Sequence, residues 1–367
     1  MGQKNQHLLS VFIILIIQAL ISGYAFASDT YATPTSIVNT KLEQRADALR
    51  LLSSDAFKQE LSHLAQQAKL TANDGTMDDD KIALTSFLGD FQETHALIAK
   101  QKNPLGYFHY SSHARLNQQF PREVGEEKAL HGVMLNKFKN FSDEELYKVS
   151  YCLGWSLEMG QDYMLGLFKQ AQASATLKKK DIIKLVSNYQ LYKVYELILA
   201  TGNALLSAEN EQRYVIEPNV LIKTKTGVSL SAVVVRSKNS TAKRPAAFQF
   251  SIYADEAWHI KTAIHAAAHG YVGVIANTRG KRLSPDDIVP WEKDGEDATQ
   301  VIDWITKQSW SDGRVAMYGG SYLGFTQWAA AKYMHPALKT IVPYAAANPL
   351  IGLPIENNIF ITPNYQG

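Results

Sequence analysis

Apolar positions change their spacing partway along this chain. Up to about residue 213 they recur at helical intervals, and beyond it they gather into short runs separated by turn residues. Leu42, Ala46, Leu49 and Leu52 form one helical stripe, and Phe57, Leu61, Leu64 and Ala65 a second, with Ser54-Asp55 as a start signal between them. Residues 82–98 continue the pattern until Pro104-Leu105-Gly106-Tyr107 and Phe120-Pro121-Arg122 interrupt it. Ser142-Asp143-Glu144-Glu145 is a capping-box start leading into a helix over 146–167, and 181–206 supplies a last long helix. No strand signal and no internal repeat stands out in this half.

The second half predicts strands alternating with helices. Tyr214-Val215-Ile216 and Val220-Leu221-Ile222-Lys223 read as strand, Thr226-Gly227 as a turn, and 228–235 as the returning strand. Residues 245–250 form a buried strand, Asp255 caps a helix that Gly270 closes, and 271–276 form the next strand. A long loop over 277–290, a helix over 296–307, a strand entering Gly319-Gly320-Ser321, a helix and a strand over 338–344 complete the pattern. The fold class is therefore α/β, a doubly wound parallel sheet with a hairpin on its leading edge, preceded by an all-helical domain. The expected divisions are residues 1–27, 28–213 and 214–367.

Residues 1–27 read as a signal peptide. Lys4 supplies the positive end, 8–21 a short apolar run, and Ala25-Phe26-Ala27 a small-x-small cleavage site. The implied product is exported, periplasmic or secreted, with no stable membrane insertion after cleavage. A formal net charge of +2 without a long basic patch argues against a nucleic-acid partner. The single cysteine, Cys152, has apolar neighbours and reads as a buried core residue. Asp78-Asp79-Asp80-Lys81 and Lys178-Lys179-Lys180-Asp181 read as solvated helix ends.

Candidate chemistry centres on Ser321. A serine between a buried strand and the good helix formers Gln327-Trp328-Ala329-Ala330-Ala331-Lys332 sits on a sharp turn, its hydroxyl presented over the sheet's C-terminal edge. Glycines flank it because a Cβ there would meet the strand or the helix. The helix aims its N-terminal N–H groups at any oxygen that gains charge beside the serine. Gly319 stands two before the serine, but Leu323 fills the position two after it and Gly324 comes third. His265 and His269 lie one turn apart and could share a metal, but the acid of a zinc motif is absent beside them, and no cofactor is called for.

Four stretches together resemble one family: Thr278-Arg279-Gly280; Asp294-Gly295-Glu296-Asp297-Ala298 with Ile302-Asp303-Trp304-Ile305; Gln308-Ser309-Trp310-Ser311-Asp312-Gly313-Arg314-Val315; and Gly319-Gly320-Ser321-Tyr322-Leu323-Gly324. They are similar to the α/β-hydrolase group of Xaa-Pro dipeptidyl-peptidases, cocaine esterase and α-amino-acid ester hydrolases, over roughly residues 220–349. The elbow of that group, G-x-S-Y-x-G, accounts for Gly324. The resemblance implies Ser321 as nucleophile, with the Tyr322 backbone N–H and the Tyr253 hydroxyl as oxyanion donors. It implies peptide, small ester or amide substrates and no cofactor.

A serine nucleophile also needs a base and an orienting acid. After Ser321 the chain offers only His335 and Glu356, and His335 falls at the far end of the elbow's own helix. The helical cap and C-terminal β-sandwich of the family are not visible, so the expectation is an N-terminal portion of a longer hydrolase. The competing expectation is an inert scaffold or interaction protein built on a hydrolase-like domain.

Overall fold

The computed structural model describes residues 30–119, 125–348, 355–356 and 359–360. The expected leader over 1–27, the break at Phe120-Pro121-Arg122 and the Glu356 side chain lie outside the described residues. The chain forms two compact units, residues 1–133 with 152–201 and residues 134–151 with 202–367. Among the described residues no helix is long and apolar enough to cross a membrane.

The first unit is built from α1 (Thr35–Asn39), α2 (Arg45–Leu52), α3 (Asp55–Gln67), α4 (Asp78–Leu88), α5 (Phe91–Ala99), α6 (Phe108–Gln119), the first half of α7 (Glu126–Asn140), α9 (Leu157–Gln172) and the first two-thirds of α10 (Lys179–Arg213). Ser54 caps α3 by accepting from the Phe57 N–H, and the stripe Phe57, Leu61, Leu64, Ala65 is fully buried. Phe57 meets Phe168 and Tyr189 edge-on, at 5.3 and 5.6 Å, in the middle of this core.

Three expectations shift here. In α2 the buried face carries Asp47, Ala48, Leu51 and Leu52, while Leu49 is exposed. The helix begins only at Arg45, and Asp47 is drawn inward to accept the N–H groups of Glu43 and Gln44. The apolar run over 82–98 divides at Gly89, whose left-handed φ of 80° ends α4 before Asp90 caps α5. The helix over 146–167 divides as well, into α8 (Asp143–Cys152) and α9, where Ser156 accepts the Met159 N–H as a new cap. A two-stranded antiparallel sheet, β1 (Thr30–Ala32) with β2 (Thr176–Lys178), also forms, its strands too short to carry any periodicity.

The second unit holds a six-stranded sheet of β3 (Tyr214–Lys223), β4 (Ser229–Ser237), β5 (Arg244–Ser251), β6 (Val272–Asn277), β7 (Ser311–Ser321) and β8 (Leu338–Ala346). The order is β3-β4-β6-β5-β7-β8. The β3–β4 hairpin is antiparallel to its neighbour, and β6, β5, β7 and β8 run parallel. Helix α11 (Glu256–Ala268) covers one face; α12 (Asp294–Thr306) and α13 (Tyr322–Ala331) cover the other.

Alternation along β4 shows why the apolar runs are continuous. Ala232 and Val234 face the core with Val301, Ile302 and Ile305, while Val233 and Val235 face Ala263, Ile264 and Ala267. A strand covered on both faces has no polar side. The mixed α/β, doubly wound reading of this half therefore holds.

Candidate active site

The chain runs from β5 to β6 on one side and from β6 across to β7 on the other, so β5 and β7 lie adjacent and parallel at the point where the winding changes direction. Crevices beyond the carboxyl ends of such strands are where open α/β sheets hold ligands. Phe248 pairs with Met317 in this ladder; a few residues further on, β5 ends at Ser251 and β7 at Ser321. The sheet thus brings Tyr253, two residues past β5, to the same edge as Ser321.

Ser321 has φ 56° and ψ −123°, a conformation that costs a non-glycine residue about 1–3 kcal/mol. Its side chain is exposed and does not cap α13. The surrounding packing fixes the turn. Gly319 has φ 140°, and a Cβ there would lie 2.6 Å from Leu323 Cβ. A Cβ on Gly324 would lie 2.7 Å from Ala346 Cβ and 2.8 Å from Ala346 Cα, so this glycine lets α13 rest directly on β8. That contact is the structural reason for a glycine at the third rather than the second position after the serine.

Hydrogen bonds complete the frame. Gln327 Nε2 donates to the carbonyls of Gly319 and Leu323, at 3.0 and 2.9 Å, and its Oε1 accepts from the Val342 N–H at 2.8 Å. Thr326 Oγ1 donates to the Phe250 carbonyl at 3.0 Å. Opposite Ser321, β8 bulges: Gly320 pairs with Tyr344, Ser321 with Ala346, and Ala345 between them has φ 43°. The Ser321 carbonyl accepts from the Ala347 N–H at 2.9 Å.

Tyr322, the first residue of α13, has a backbone N–H with no acceptor inside the helix. Its ring is buried, and its hydroxyl donates to Asp294 Oδ2 at 2.6 Å. The Trp291 N–H reaches the same carboxylate oxygen at 2.7 Å and the Tyr322 oxygen at 3.2 Å, with Trp291 in a left-handed conformation. Burial lifts the Asp294 carboxyl to about 6 against the pull of the Tyr322 and Trp291 hydrogen bonds. The Tyr322 phenol is raised well above its usual value by burial, then by Asp294, with Tyr253 among the lesser causes.

Tyr253 is about half exposed (47 %), and its segment is tied down by the backbone. Its N–H donates to Ser251 Oγ at 3.0 Å, and its carbonyl accepts from Asn277 Nδ2 at 2.7 Å. Asn277 Nδ2 also donates to the Ser251 carbonyl at 3.2 Å. Asp255 then caps α11 by accepting the Trp258 N–H. One turn in, His259 is fully buried, and burial followed by Arg282 lowers its affinity for a proton against the opposing pull of the Tyr253 backbone. Arg279 pairs with the buried Asp297 through two bonds, at 2.8 and 2.7 Å, beside this edge.

Asp294, Trp291, Asn277 and His259 had no assigned role in the sequence. The signal for Asp294 was its place in one of the stretches that carry the resemblance; Asn277 stood at the start of the expected 277–290 loop, and His259 inside an ordinary helix pattern.

The remaining candidates lie elsewhere. His335 Nε2 contacts Asp303 Oδ1 at 3.0 Å, and its Nδ1 accepts the Ala337 N–H at 3.1 Å, so both nitrogens serve the loop between α13 and β8. Lys225 and then His335 hold Asp303 down at about 2. His265 stacks on Tyr147 at 4.3 Å, and His269 bonds through Nδ1 to the His265 carbonyl, which uses both rings for packing. Among the described residues no group of three or more metal-ligating side chains forms.

Residues 226–366 match the family model described as X-Pro dipeptidyl-peptidase (S15 family). Cocaine esterase of Rhodococcus sp. (strain MB1 Bresler) is 33% identical over 149 residues, 38% of this chain and 25% of the esterase. Two solved structures are similar to part of the chain, each with a TM-score of 0.32. A CocE/NonD family hydrolase from Staphylococcus aureus is 26% identical over 35% of this chain and 27% of its own. An α-amino acid ester hydrolase is 31% identical over 37% of this chain and 26% of its own. The chain spans about a quarter of the length of these relatives. Over residues 226–366 the sheet-bearing region is therefore similar to the S15 X-Pro dipeptidyl-peptidase and cocaine-esterase family of α/β-hydrolases.

Proposed function

We propose that the protein is a serine hydrolase that cleaves peptide amide or ester bonds through an acyl-enzyme, with an Xaa-Pro dipeptidyl-peptidase-like preference for peptides. The carrying observation is Ser321, exposed at φ 56° between β7 and the first N–H groups of α13. Its Oγ attacks the carbonyl carbon while its proton passes to a base, and the carbonyl oxygen becomes an oxyanion. The Tyr322 N–H and the Tyr253 hydroxyl donate to that oxygen, and charge that exists only in the transition state is stabilised selectively. The leaving amine or alcohol takes a proton as the acyl-enzyme forms, and water then releases the acid. Both His335 nitrogens are already engaged, which argues against His335 as the base.

An α-amino-acid ester or small-ester substrate fits the same chemistry. Hydrolysis of an alanyl-prolyl anilide against an α-amino-acid ester and a simple aryl ester orders the three. A fluorophosphonate probe on the native protein tests the class: it should label Ser321, and a Ser321 left unmodified would favour an inert scaffold. We propose export as well, for which the mature protein's first residue should be Ser28.

A further inference from the structure

Helix α12 begins against the backbone of α13. A Cβ on Gly295 would lie 2.3 Å from the Ala329 carbonyl oxygen and 2.7 Å from the Ala329 carbonyl carbon, so a side chain there would push the two helices apart. Ala329 lies two turns after Tyr322 on the same face of α13. Asp294, next to Gly295, is thereby brought within reach of the Tyr322 phenol.

Asp294 is 1% exposed, and a single oxygen carries its contacts. Oδ2 accepts the Tyr322 hydroxyl at 2.6 Å and the Trp291 N–H at 2.7 Å. The same N–H is shared with the Tyr322 oxygen at 3.2 Å, which closes the network. Aromatic rings surround it: Tyr322 meets Trp291 at 4.5 Å and Phe325 at 5.6 Å, and Trp291 meets Phe325 at 4.8 Å. Burial lifts the carboxyl to about 6; the Tyr322 and Trp291 bonds pull against it, Asp297 adds to the rise and Arg279 reduces it. At neutral pH the group is therefore ionised and accepts both donors as a charge, the stronger kind of hydrogen bond.

A buried acid costs free energy that an apolar side chain would not. What the acid supplies here is a fixed point for two residues at the reacting edge. Tyr322 follows Ser321 directly, and its backbone N–H has no acceptor inside the helix. A phenol held at its hydroxyl and packed on its ring leaves its Cα, and with it that N–H, a single orientation. Trp291 has φ 72°, a conformation that a bulky residue keeps only where its surroundings impose it. The carboxylate ties this residue to the elbow helix. Misplacement of a reacting group by about 1 Å costs on the order of a hundred-fold in rate, so such a tie matters to turnover more than to folding.

We propose that Asp294 is a positioning residue of the Ser321 site: its carboxylate holds the Tyr322 hydroxyl and the Trp291 N–H on one oxygen and so sets the direction of the Tyr322 backbone N–H. This rests on the hydrolase reading of Ser321. Asp294 acts through Tyr322 and touches no substrate, so its loss slows turnover and leaves substrate binding as it was.

Steady-state hydrolysis of 4-nitrophenyl acetate by the full-length protein at neutral pH tests this, with a thermal midpoint for every variant. Asp294→Leu should lower kcat by about thirty- to a hundred-fold, with KM unchanged within about two-fold. Asp294→Asn keeps an acceptor oxygen and should recover most of that loss, to within about five-fold of wild type. Tyr322→Phe breaks the same bond from the other side and should lower kcat by about ten-fold, which keeps the test open if leucine at 294 prevents folding. In the Asp294→Leu background, Tyr322→Phe should cost nothing further. Unchanged kcat in Tyr322→Phe, a full extra ten-fold loss in the double variant, or a loss confined to KM overturns the proposal. A wild type that neither hydrolyses the ester nor takes a fluorophosphonate at Ser321 defeats the hydrolase reading and the proposal with it. An active wild type matched by Tyr322→Phe and Asp294→Leu defeats the proposal alone.

Discussion

The groups framing Ser321 hold one another, whereas Asn277 Oδ1 beside Tyr253, like His109 Nε2 and Ser187 Oγ in the first unit, is buried without a partner. Tyr322 is bonded to Asp294, Asp294 to the Trp291 backbone, and Gln327 to three backbone groups at once. The stacked rings of His109, Tyr195 and Trp155 are packed just as closely, yet His109 Nε2 and Ser187 Oγ have nothing to bond. Satisfied networks fix a shape before any ligand arrives, which suits a site that must stabilise a transient charge.

That contrast can be broken from the reactive side first. Ser321→Ala should abolish fluorophosphonate labelling and reduce ester turnover by more than about a thousand-fold, with an unchanged unfolding curve. Tyr253→Phe should lower kcat by about a hundred-fold, roughly 3 kcal/mol of transition-state stabilisation, without altering stability, because the ring is half exposed. Equal turnover in Tyr253→Phe would remove that hydroxyl from the oxyanion site.

The frame itself can be tested by volume and by pH. Gly324→Ala places a methyl group against Ala346 and should destabilise the protein by about 2–3 kcal/mol in chemical denaturation. Asp294 gives the pH arm. Its carboxyl is raised from about 3.9 unfolded to about 6 folded, so its contribution is fullest below pH 4 and is lost as pH rises through 6. The difference between wild type and Asp294→Asn should therefore change by roughly 2–3 kcal/mol between pH 4 and 7, the wild type losing ground as pH rises. A parallel pair of curves would mean that the carboxyl titrates normally.

Much of the second unit was legible because its strands are covered on both faces, and continuous apolar runs such as 272–276 then have a single reading. Ser321 was legible for a related reason: glycines, a strand and helix formers all had to coincide around it. The first unit was readable as helices but not as their breaks. Ser156 and Gly89 are ordinary residues until their backbone angles are known, and nothing along the chain marks Asp47 as buried beneath its two N–H donors. His109, Tyr195 and Cys152 come from three helices, and no spacing along the chain announces their meeting. The same holds for Asp294 with Tyr322, 28 positions apart.

The close approach of α13 to β8 has a consequence for sequence drift. Gly324 and Ala346 share one small volume, and Gly320 shares another with the Tyr344 ring, 2.3 Å from where its Cβ would stand. Neither glycine can enlarge while its partner stays as it is. Among descendants of this sequence the two pairs should therefore change together or not at all, and a bulkier residue at 324 should appear only where the β8 backbone at 346 has moved away from α13.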